Sequence, residues 1–281
     1  MSKLTASIVL YNHTPGDVRS LFETLAKDSA LSEWIVVDNG GSKEACAVAV
    51  RLGARCIRPD RNCGFGAGHN LALRALVSPS RYHLIANPDI AYEFGALNEL
   101  ANVMDAMPEV GVVMPRILYP DGSMQYLCKL IPSPIDLLLR RFGPRPWNGL
   151  FRDRMDRYDM RSFDYSQAGY VPVLSGCFMF ARRSILDAVG GFDERFFLYM
   201  EDVDLCRRVG AISRLLFWPG ITVVHGHAQG SYKSARLLRL HIRSAVAYFN
   251  KWGWIKDADR VTRNKIGIIE ARIDSGSAVR N

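Results

Sequence analysis

The chain lacks three features that would each have indicated its class. No apolar run approaches the roughly 18 to 20 residues of a membrane span, and the start, MSKLTASIVLYN, leads into a strand-like segment instead of a signal peptide, so we expect a cytoplasmic protein. Its six cysteines include no C-x-x-C pair, which argues against a zinc site and a disulfide framework and favours small buried hydrophobic residues. The glycines of RNCGFGAGHN lack the G-x-G-x-x-G spacing, which disfavours a dinucleotide-binding oxidoreductase.

The composition is that of an ordinary globular protein, but the positive charge is concentrated at one end. The 281 residues are 48% hydrophobic and 23% charged, enough for one large domain or for one domain with an appendage. Of the formal net charge of +8, the last 49 residues carry +7, because they hold eleven lysines and arginines and only four acidic residues. The body is nearly neutral, and we expect no nucleic acid among the partners.

Strand-like and helix-like patterns alternate through the first half of the chain. Short apolar runs (ASIVLY, WIVVDN, ARCIR and YHLIAN) are separated by segments with helical spacing, such as VRSLFETLAKD and GHNLALRAL. This alternation predicts βαβ units and a mainly parallel central sheet flanked by helices. Ligands of such sheets bind beyond the carboxyl ends of the strands. The polar residues at those ends are Asn12, Asp38, Asn39, Asn87 and Asp89.

Two of these carboxylates have a structural and a functional interpretation. Asp38 lies in VVDNGGS, where a turn aspartate commonly hydrogen-bonds its own backbone, but where it could also bind a nucleobase or ribose. Asp89 ends NPD, which is ordinary turn chemistry but also places a hard oxygen ligand after a buried strand, where a divalent ion could bridge a diphosphate. Between them, Gly64, Gly66 and Gly68 predict a backbone segment that another group approaches closely.

A dense acidic cluster lies in FFLYMEDVDLCRRVG, residues 196–210. Glu201, Asp202 and Asp204 follow an aromatic run of Phe196, Phe197 and Tyr199. The carboxylates would open a helix that continues through DLCRRVG, and helix capping is the structural explanation. Capping needs only one side chain, however, and desolvating unpaired carboxylates is costly. Such a cluster usually has hydrogen-bond partners, a metal nearby or a chemical task, and these explanations stay open at this point. The aromatic run would suit the C–H faces of a sugar.

Eight motifs in order resemble those of family 2 glycosyltransferases, which are inverting enzymes of the GT-A fold. They are SIVLYN, VVDNGGS, RNCGFGAGHN, LIANPD, MPRILYPDGSMQ, LSGCFMFARRS, GGFDERFFLYMEDVDLCRR and VVHGHAQGS, and together they cover roughly residues 4 to 250. Within the family, the chain is most similar to the bacterial rhamnosyltransferase branch. The resemblance implies an α/β GT-A domain at 1–230, with a nucleotide-sugar-binding half at 1–118 and an acceptor and catalytic half at 119–230, followed by a basic helical region at 231–281.

The resemblance also implies roles for individual residues. Asp202, the second residue of the E-D pair, would be the general base toward the acceptor hydroxyl, while Glu201 would orient it or hold an acceptor hydroxyl. For Asp204 the helix geometry gives the prediction: it lies two positions after Asp202, on a different side of the helix, and is expected to be a cap or an ion-pair partner of a nearby arginine.

On the donor side, Asp89 would end the metal-binding D-x-D segment. Asn87 replaces the first aspartate of that segment, so one carboxylate remains to hold Mn²⁺ or Mg²⁺. His225 would complete the metal shell or contact the diphosphate, and His227 competes for that role. The residues expected to bind the nucleotide sugar are Tyr11, Asn12, Asp38, Asn62, Gly64, Asn70, Asn87 and Asp89.

The implied activity is transfer of L-rhamnose from dTDP-L-rhamnose to a lipid-linked or polysaccharide acceptor in bacterial surface glycan biosynthesis. Two other classes stay open. A sugar-nucleotide nucleotidyltransferase would ordinarily carry a Gly-rich, basic phosphate loop after its first strand, and SIVLYNHTPGD has none. A catalytically inactive nucleotide-binding protein is the second alternative, and the complete E-D segment argues against it.

The C-terminal region is predicted to form one amphipathic helix over 236–252. Its apolar stripe would be Leu238, Ile242, Ala245, Phe249 and Trp252, and its basic side Arg236, Arg239 and Arg243. Such a helix would either bind an anionic membrane surface peripherally or pack on the catalytic domain. The Pro- and Arg-rich segment 128–170 is expected on the acceptor side.

Overall fold

In the part of the chain that the structure describes, the fold is a nine-stranded sheet covered by helices. The computed structural model describes residues 4–142, 149–226 and 235–269. The strands are β1 (Leu4–Leu10), β2 (Leu31–Asp38), β3 (Arg55–Ile57), β4 (Tyr82–Ala86), β5 (Ile90–Tyr92), β6 (Val110–Leu118), β7 (Gly169–Tyr170), β8 (Phe178–Arg182) and β9 (Arg214–His225). The helices are α1 (Pro15–Lys27), α2 (Lys43–Arg51), α3 (Phe65–Ala75), α4 (Ala96–Ala106), α5 (Pro134–Phe142), α6 (Leu150–Tyr158), α7 (Arg183–Val189), α8 (Glu201–Val209), α9 (Ala235–Trp252) and α10 (Ala258–Ile269).

The sheet is parallel in one half and mixed in the other. The strand order is β3-β2-β1-β4-β8-β6-β9-β5, with β7 paired to β9. The first four strands in this order are parallel, whereas β8 runs antiparallel to both β4 and β6, and β5 and β7 run antiparallel to β9. The α/β class and the mainly parallel sheet are therefore confirmed, since β6 and β9 also pair in parallel. The antiparallel strands β5, β7 and β8 were not predicted, because apolar runs do not encode the direction of a strand.

The N-terminal strands are buried on both faces. Ile8 and Val36 lie in the main core, which α1 and α2 cover, while Val9, Ile35 and Val37 lie in a small second core under α3. Successive side chains of a strand point to opposite faces, so strands covered on both sides show continuous apolar runs.

A buried polar network ties β1 to β4 and α3. Ser7 Oγ lies 2.7 Å from His69 Nδ1 and 2.8 Å from His83 Nε2, and Thr5 Oγ1 lies 2.9 Å from His83 Nδ1. All four residues are fully buried. Burial lowers the pKa of His69 to about 3 and that of His83 well below its ordinary value, so both imidazoles are neutral and the network is structural.

The C-terminal helices are joined to α8 by one buried arginine. The Arg207 guanidinium donates to both carboxylate oxygens of Asp257 at 2.8 Å, to Asp259 at 2.7 Å and to the Tyr248 hydroxyl at 3.1 Å. It also lies 4.0 Å from the ring centre of Trp252. Because Arg207 is only 1% exposed, these contacts make α9 and α10 part of the surroundings of α8.

Helix α9 confirms the predicted C-terminal helix, but its apolar residues divide between two surfaces. Phe249 is buried, and Ala245 and Trp252 pack against the core. Ile242, expected in the same stripe, is instead 49% exposed, together with Val246 at 40%. Within the described residues, no helix combines the length and the apolar character that crossing a bilayer requires.

One expectation about the cysteines was wrong. Cys46 of α2 and Cys56 of β3 form a disulfide, with their Cα atoms 6.2 Å apart. The other four cysteines are free, and Cys128, Cys177 and Cys206 are buried, as expected. The pair has no recognisable spacing motif, since it depends on α2 packing against β3.

Candidate functional site

The candidate site lies where strands β1, β2, β4 and β9 end. These strands run in the same direction through the sheet, so their carboxyl ends meet at one edge. Asp38 and His225 are the last residues of β2 and β9, and Asn12 and the Asn87–Asp89 turn follow β1 and β4. Asn12 is in the left-handed region with φ of 58°, and its N–H donates to the Gly40 carbonyl at 2.9 Å, which joins the first two strand ends. Sequence reasoning therefore located this edge correctly.

A cleft of about 480 Å³ opens beside Asp38. Its lining includes Asp38, Gly40, Lys43, Arg58, Arg61 and Asn62. One carboxylate oxygen of Asp38 accepts the N–H groups of Gly40 at 3.0 Å and Ser42 at 3.2 Å, and the other lies 3.3 Å from Arg58 Nε. The turn interpretation of Asp38 is thus observed, and the second oxygen still faces a basic cleft. Tyr11, 43% exposed, lies beside the same turn, with its ring against Gly40.

The 61–64 loop connects this cleft to the acidic cluster. Asn39 Nδ2 donates to the Gly64 carbonyl at 2.8 Å, and Asn62 Oδ1 accepts the Gly64 N–H at 2.9 Å. Gly64 has φ of +92°, and a Cβ there would collide with the Phe197 carbonyl, which accepts the Phe65 N–H at 3.0 Å. The group that approaches Gly64 is therefore protein backbone next to the acidic cluster.

Asn70 contacts protein in the same way. Its Nδ2 donates to the Phe192 carbonyl at 2.8 Å and to Glu194 at 3.0 Å, while its Oδ1 accepts the Phe192 N–H at 2.9 Å. Gly66 packs on the Phe192 side chain and Gly68 on Val9. Because Asn70 is only 5% exposed, it acts on the site through the turn that precedes the acidic cluster.

Asp89 and His225 face each other across the end of the β5–β9 pair. Asp89 Oδ1 lies 3.4 Å from His225 Nε2, and Asn87 Nδ2 lies 3.2 Å from the same nitrogen. Burial opposes the charged imidazole, but the hydrogen bonds and charges of Asp89 and Cys177 together outweigh it and raise the pKa of His225 to about 10. His227, the competing histidine, lies outside the described residues.

Gln125, which sequence reasoning did not assign, fixes the orientation of His225. Its Nε2 donates to the His225 carbonyl at 2.8 Å, so its Oε1 is the atom that faces His225 Nδ1, at 3.0 Å. Nδ1 must then carry a proton, which leaves Nε2 directed at Asp89. Gln125 lies in the MPRILYPDGSMQ motif, and its position there was the available signal.

The residues at this edge fit part of a divalent metal shell. Within the described residues, no three His, Cys, Asp or Glu side chains are grouped closely enough to hold an ion by themselves. Asp89 and His225 do present one oxygen and one nitrogen toward each other, a donor set suited to Mn²⁺. Ions of this kind usually complete their shells with substrate phosphates and water.

Asp202 is held by backbone at the start of α8. Its Oδ2 accepts the Gly176 N–H at 3.2 Å, and its Oδ1 accepts the Val203 N–H at 2.8 Å. Burial raises the pKa of Asp202, although these N–H groups and Lys129 oppose the shift. The backbone enters α8 through two successive left-handed residues, Tyr199 and Met200, with φ of 67° and 66°. Such backbone strain is typical of functional sites.

Glu201 and Asp204 differ sharply from Asp202. Glu201 is 5% exposed, and its Oε2 has no hydrogen-bond partner among the described residues. Burial, with the charge of Asp202, raises the pKa of Glu201 well above its ordinary value and favours the protonated acid. Asp204 is fully buried and pairs with Arg208 at 2.7 Å and Lys251 at 2.6 Å, as expected for an ion-pair partner.

The aromatic run before the cluster does not form one wall. Phe196 is fully buried and packs near Tyr248, with ring centres 6.5 Å apart. Tyr199 is half-buried and stacks on His241 of α9 at 4.7 Å. The expectation that Phe196 faces a sugar was therefore wrong, because consecutive side chains of this loop point into different surroundings.

Strand pairing brings the acidic cluster to the metal-type ligands. The Asn87 N–H donates to the Cys177 carbonyl at 2.8 Å, and the neighbouring Gly176 holds Asp202. The adjacent residues Gly176 and Cys177 thus connect Asp202, whose pKa is raised, to the turn that contains Asp89 beside His225. This arrangement can hold an anionic leaving group on one side and accept a proton on the other.

Comparison with known proteins gives a consistent family and fold. The model of glycosyl transferase family 2 matches residues 5–190. Rhamnosyltransferase WbbL of Escherichia coli (strain K12) is 34% identical in an alignment that covers 86% of this chain and 91% of WbbL. N-acetylglucosaminyl-diphospho-decaprenol L-rhamnosyltransferase of Mycobacterium tuberculosis (strain CDC 1551 / Oshkosh) is 29% identical, with 83% of this chain and 80% of that protein covered.

Among solved structures, a mannosyltransferase from Pyrobaculum calidifontis, in complex with GDP-Man and Mn²⁺, is similar in fold. The TM-score is 0.53 at 17% sequence identity, and the match covers 93% of this chain and 74% of that one. At this identity the likeness concerns the fold alone.

Proposed function

Because this chain belongs to glycosyl transferase family 2 and is a glycosyltransferase of the GT-A fold, we propose that it transfers L-rhamnose from dTDP-L-rhamnose to a lipid-linked or polysaccharide acceptor of a bacterial surface glycan. Both relatives named above are rhamnosyltransferases, which supports the sugar. The mycobacterial relative acts, by its name, on a diphosphate-linked polyprenol, which supports a lipid-linked acceptor.

The cleft at the end of β2 is the proposed site of the nucleoside. Asp38 would receive a hydrogen bond from the base or ribose, with Tyr11 and Asn12 beside it. Asn62 and Gly64 would shape the wall of the cleft, and Asn70 would act on the site through the turn at Phe192 that precedes the acidic cluster. Three cations line the cleft, Lys43, Arg58 and Arg61, against the two carboxylates of Asp38 and Asp60, and this excess of positive charge supports an anionic ligand there.

At the diphosphate, Asp89 and His225 would hold Mn²⁺ or Mg²⁺, with Asn87 beside them. Such an ion, when bound, offsets negative charge on the leaving diphosphate. Gln125 would keep Nε2 of His225 directed at the site.

Asp202 is proposed as the general base of a single, inverting displacement. It takes the proton of the acceptor hydroxyl while that oxygen bonds to the anomeric carbon, and the bond from this carbon to the diphosphate oxygen breaks. The nucleoside diphosphate leaves with the bonding electrons. The observation that carries this role is the hold of Gly176 on the Asp202 carboxylate, because the next residue pairs with Asn87 at the proposed diphosphate site.

A panel of nucleotide sugars tests the donor. We expect dTDP-L-rhamnose and thymidine diphosphate to raise the melting temperature, and more so with Mn²⁺ than with EDTA. Transfer to acceptor should then follow for dTDP-L-rhamnose and fall in Asp89→Ala. Stabilisation by a different nucleotide sugar alone would overturn the rhamnose assignment, and undiminished turnover in EDTA would overturn the metal role.

We also propose that α9 brings the protein to anionic membranes. Ile242 and Val246 are one turn apart and substantially exposed, with Arg239 and Arg243 exposed beside them. Apolar side chains flanked by arginines suit a negatively charged lipid surface.

Sedimentation with anionic vesicles at low salt tests this location. Ile242→Gln with Val246→Gln should leave more protein in the supernatant than Val77→Gln, a matched change at an 81% exposed residue outside α9. Wild-type protein that stays in the supernatant would overturn the membrane proposal without touching the donor assignment.

A further inference from the structure

One side of α9 lies along the loop that leads into the acidic cluster. His241, Ser244 and Tyr248 are three and four residues apart, so they share one side of this helix. His241 stacks on Tyr199, with ring centres 4.7 Å apart, and Tyr248 packs near Phe196, with ring centres 6.5 Å apart. Ser244 lies between these two contacts and faces the same loop.

Ser244 holds one carbonyl of that loop. Its hydroxyl donates to the Leu198 carbonyl oxygen at 2.8 Å, across 46 residues of chain, and the residue is only 3% exposed. A serine hydroxyl within a helix commonly donates to a carbonyl one turn back in its own helix, whereas this one is directed at another segment. The preceding carbonyl, of Phe197, accepts the Phe65 N–H at 3.0 Å. Two successive peptides of the loop are therefore held, one from α9 and one from α3.

The Leu198 carbonyl controls the conformation of the residue that follows it. This oxygen belongs to the planar peptide that joins Leu198 to Tyr199, so turning the oxygen away would change φ of Tyr199. Tyr199 and Met200 have φ of 67° and 66°, which is unfavourable for residues with a side chain and persists only where the surrounding structure holds it. A hydrogen bond to the Leu198 oxygen therefore opposes the peptide rotation that would relieve Tyr199.

The conformation of the loop decides where Asp202 lies. Met200 is the last residue before α8, and its carbonyl accepts the Asp204 N–H at 2.9 Å in the first turn of the helix. Asp202 lies in that turn, where its Oδ2 accepts the Gly176 N–H at 3.2 Å. A rotation of the peptide before Tyr199 would move the start of α8 relative to Gly176 and carry the Asp202 carboxylate with it.

We propose that Ser244 is a positioning residue for Asp202. Its hydroxyl keeps the Leu198 carbonyl in place and thereby keeps the Asp202 carboxylate directed at the acceptor hydroxyl. This inference rests on the proposed function, because it takes Asp202 as the general base. Ser244 lies beyond residues 5–190, which the family model matches, so the site depends on a residue of the C-terminal region.

The kinetics of Ser244→Ala test this role. Turnover is measured with dTDP-L-rhamnose as the donor and N-acetylglucosaminyl-diphospho-farnesol as a lipid-linked probe acceptor. We expect kcat to fall by about 10-fold, the loss of one buried hydrogen bond, while the donor KM and the affinity for thymidine diphosphate stay unchanged. Ser244→Thr keeps the hydroxyl, and its kcat should stay within about twofold of that of the parent protein.

A double variant tests whether Ser244 acts through Asp202. In the Asp202→Asn background, Ser244→Ala should lower kcat no further, because the side chain that it positions no longer takes a proton. A further fall of about 10-fold in the double variant would show that the two residues act independently and would overturn the inference.

Amide hydrogen exchange gives a readout that needs no substrate. In Ser244→Ala the Gly176 N–H, which donates to Asp202, should exchange roughly 10-fold faster than in the parent protein. Ser32→Ala is the matched control, because Ser32 Oγ also donates to a backbone carbonyl at 2.8 Å, that of Leu4. Leu4 begins β1, whereas the candidate site lies beyond the end of this strand. Ser32→Ala should therefore change neither kcat nor the exchange of Gly176.

The outcomes separate this inference from the proposed function. Unchanged kcat or unchanged Gly176 exchange in folded Ser244→Ala would overturn the inference, and so would a Ser244→Thr variant as slow as Ser244→Ala. If the parent protein transfers nothing from dTDP-L-rhamnose, or if Asp202→Asn keeps near-normal turnover, the proposed function fails, and the Gly176 exchange still decides whether Ser244 holds Asp202. Should Ser244→Ala not fold, Ser244→Cys, with a similar size and only a weak donor, takes its place in the same comparison.

Discussion

The same one-atom change at two residues of the acidic cluster should have opposite effects. In Asp202→Asn the amide keeps the shape of the side chain but cannot take the proton of the acceptor. Turnover should fall by roughly 10² to 10⁴. The cost in stability is small, because Asp202 is held by two backbone N–H groups, of which the amide oxygen can still accept one. We expect about 1 kcal/mol.

Asp204→Asn should mainly lower stability. Asp204 is fully buried and accepts hydrogen bonds from Arg208 at 2.7 Å and from Trp252 Nε1 at 2.8 Å, besides the Lys251 contact. Breaking a buried ion pair costs about 3 to 5 kcal/mol. We take the lower end, since Lys251 keeps Asp193 as a partner and Arg208 keeps two carbonyls. A loss of about 3 kcal/mol lowers the melting temperature by about 6 to 12 °C.

The assay compares both variants with the parent protein well below the lower melting temperature. Turnover, donor affinity and thermal unfolding are measured on the same preparations. If Asp202→Asn retains near-normal turnover while folded Asp204→Asn has none, the base has been assigned to the wrong carboxylate. If both lose turnover equally and donor affinity also falls, the cluster acts as one structural unit.

Three further outcomes are expected. Arg207→Met should lower the free energy of unfolding by about 3 to 5 kcal/mol in urea, because two carboxylates lose a buried partner; a change below about 1 kcal/mol would contradict this. Gln125→Leu should raise the Mn²⁺ concentration for half-maximal activity by about 10-fold or more, with metal-free nucleotide affinity unchanged; an unchanged Mn²⁺ requirement would remove its role in orienting His225. The pKa values of His69 and His83 are lowered in the folded protein, so the unfolded chain binds more protons below about pH 6.5. The free energy of unfolding should therefore fall as pH drops from 6.5 toward 5, by up to about 1.4 kcal/mol per pH unit for each histidine. The fall should be shallower in His69→Asn. A free energy of unfolding that rises as pH drops over this range would contradict the buried neutral network.

The strand ends could be predicted from the sequence, because a strand that is buried on both faces appears as a continuous apolar run. The apolar runs before Asp38 and Asn87 stop where the strands stop, and the first polar residues then lie at the shared edge. Asp204 was also predictable as an ion-pair partner, since Arg208 lies four residues further along the same helix.

Contacts between residues that lie far apart in the chain could not be predicted from the sequence. Gln125 meets His225 across 100 residues, and Arg207 meets Asp257 across 50. No local pattern encodes such contacts, because they depend on how the strands and the C-terminal helices are assembled. Phe196 was assigned wrongly for the same reason. Its neighbours in sequence suggested that it faces a ligand, but its neighbours in space belong to the core.

The buried position of Arg207 has a consequence for recombining relatives of this chain. The family match ends at residue 190, before α8, while the contacts of Arg207 reach Asp257 and Asp259. A chimera whose crossover falls between α8 and α10 would join an arginine from one parent to carboxylates from another, even if both parents catalyse the same transfer. The segment from Glu201 to Arg263 should therefore be exchanged as one block when parts of such enzymes are recombined.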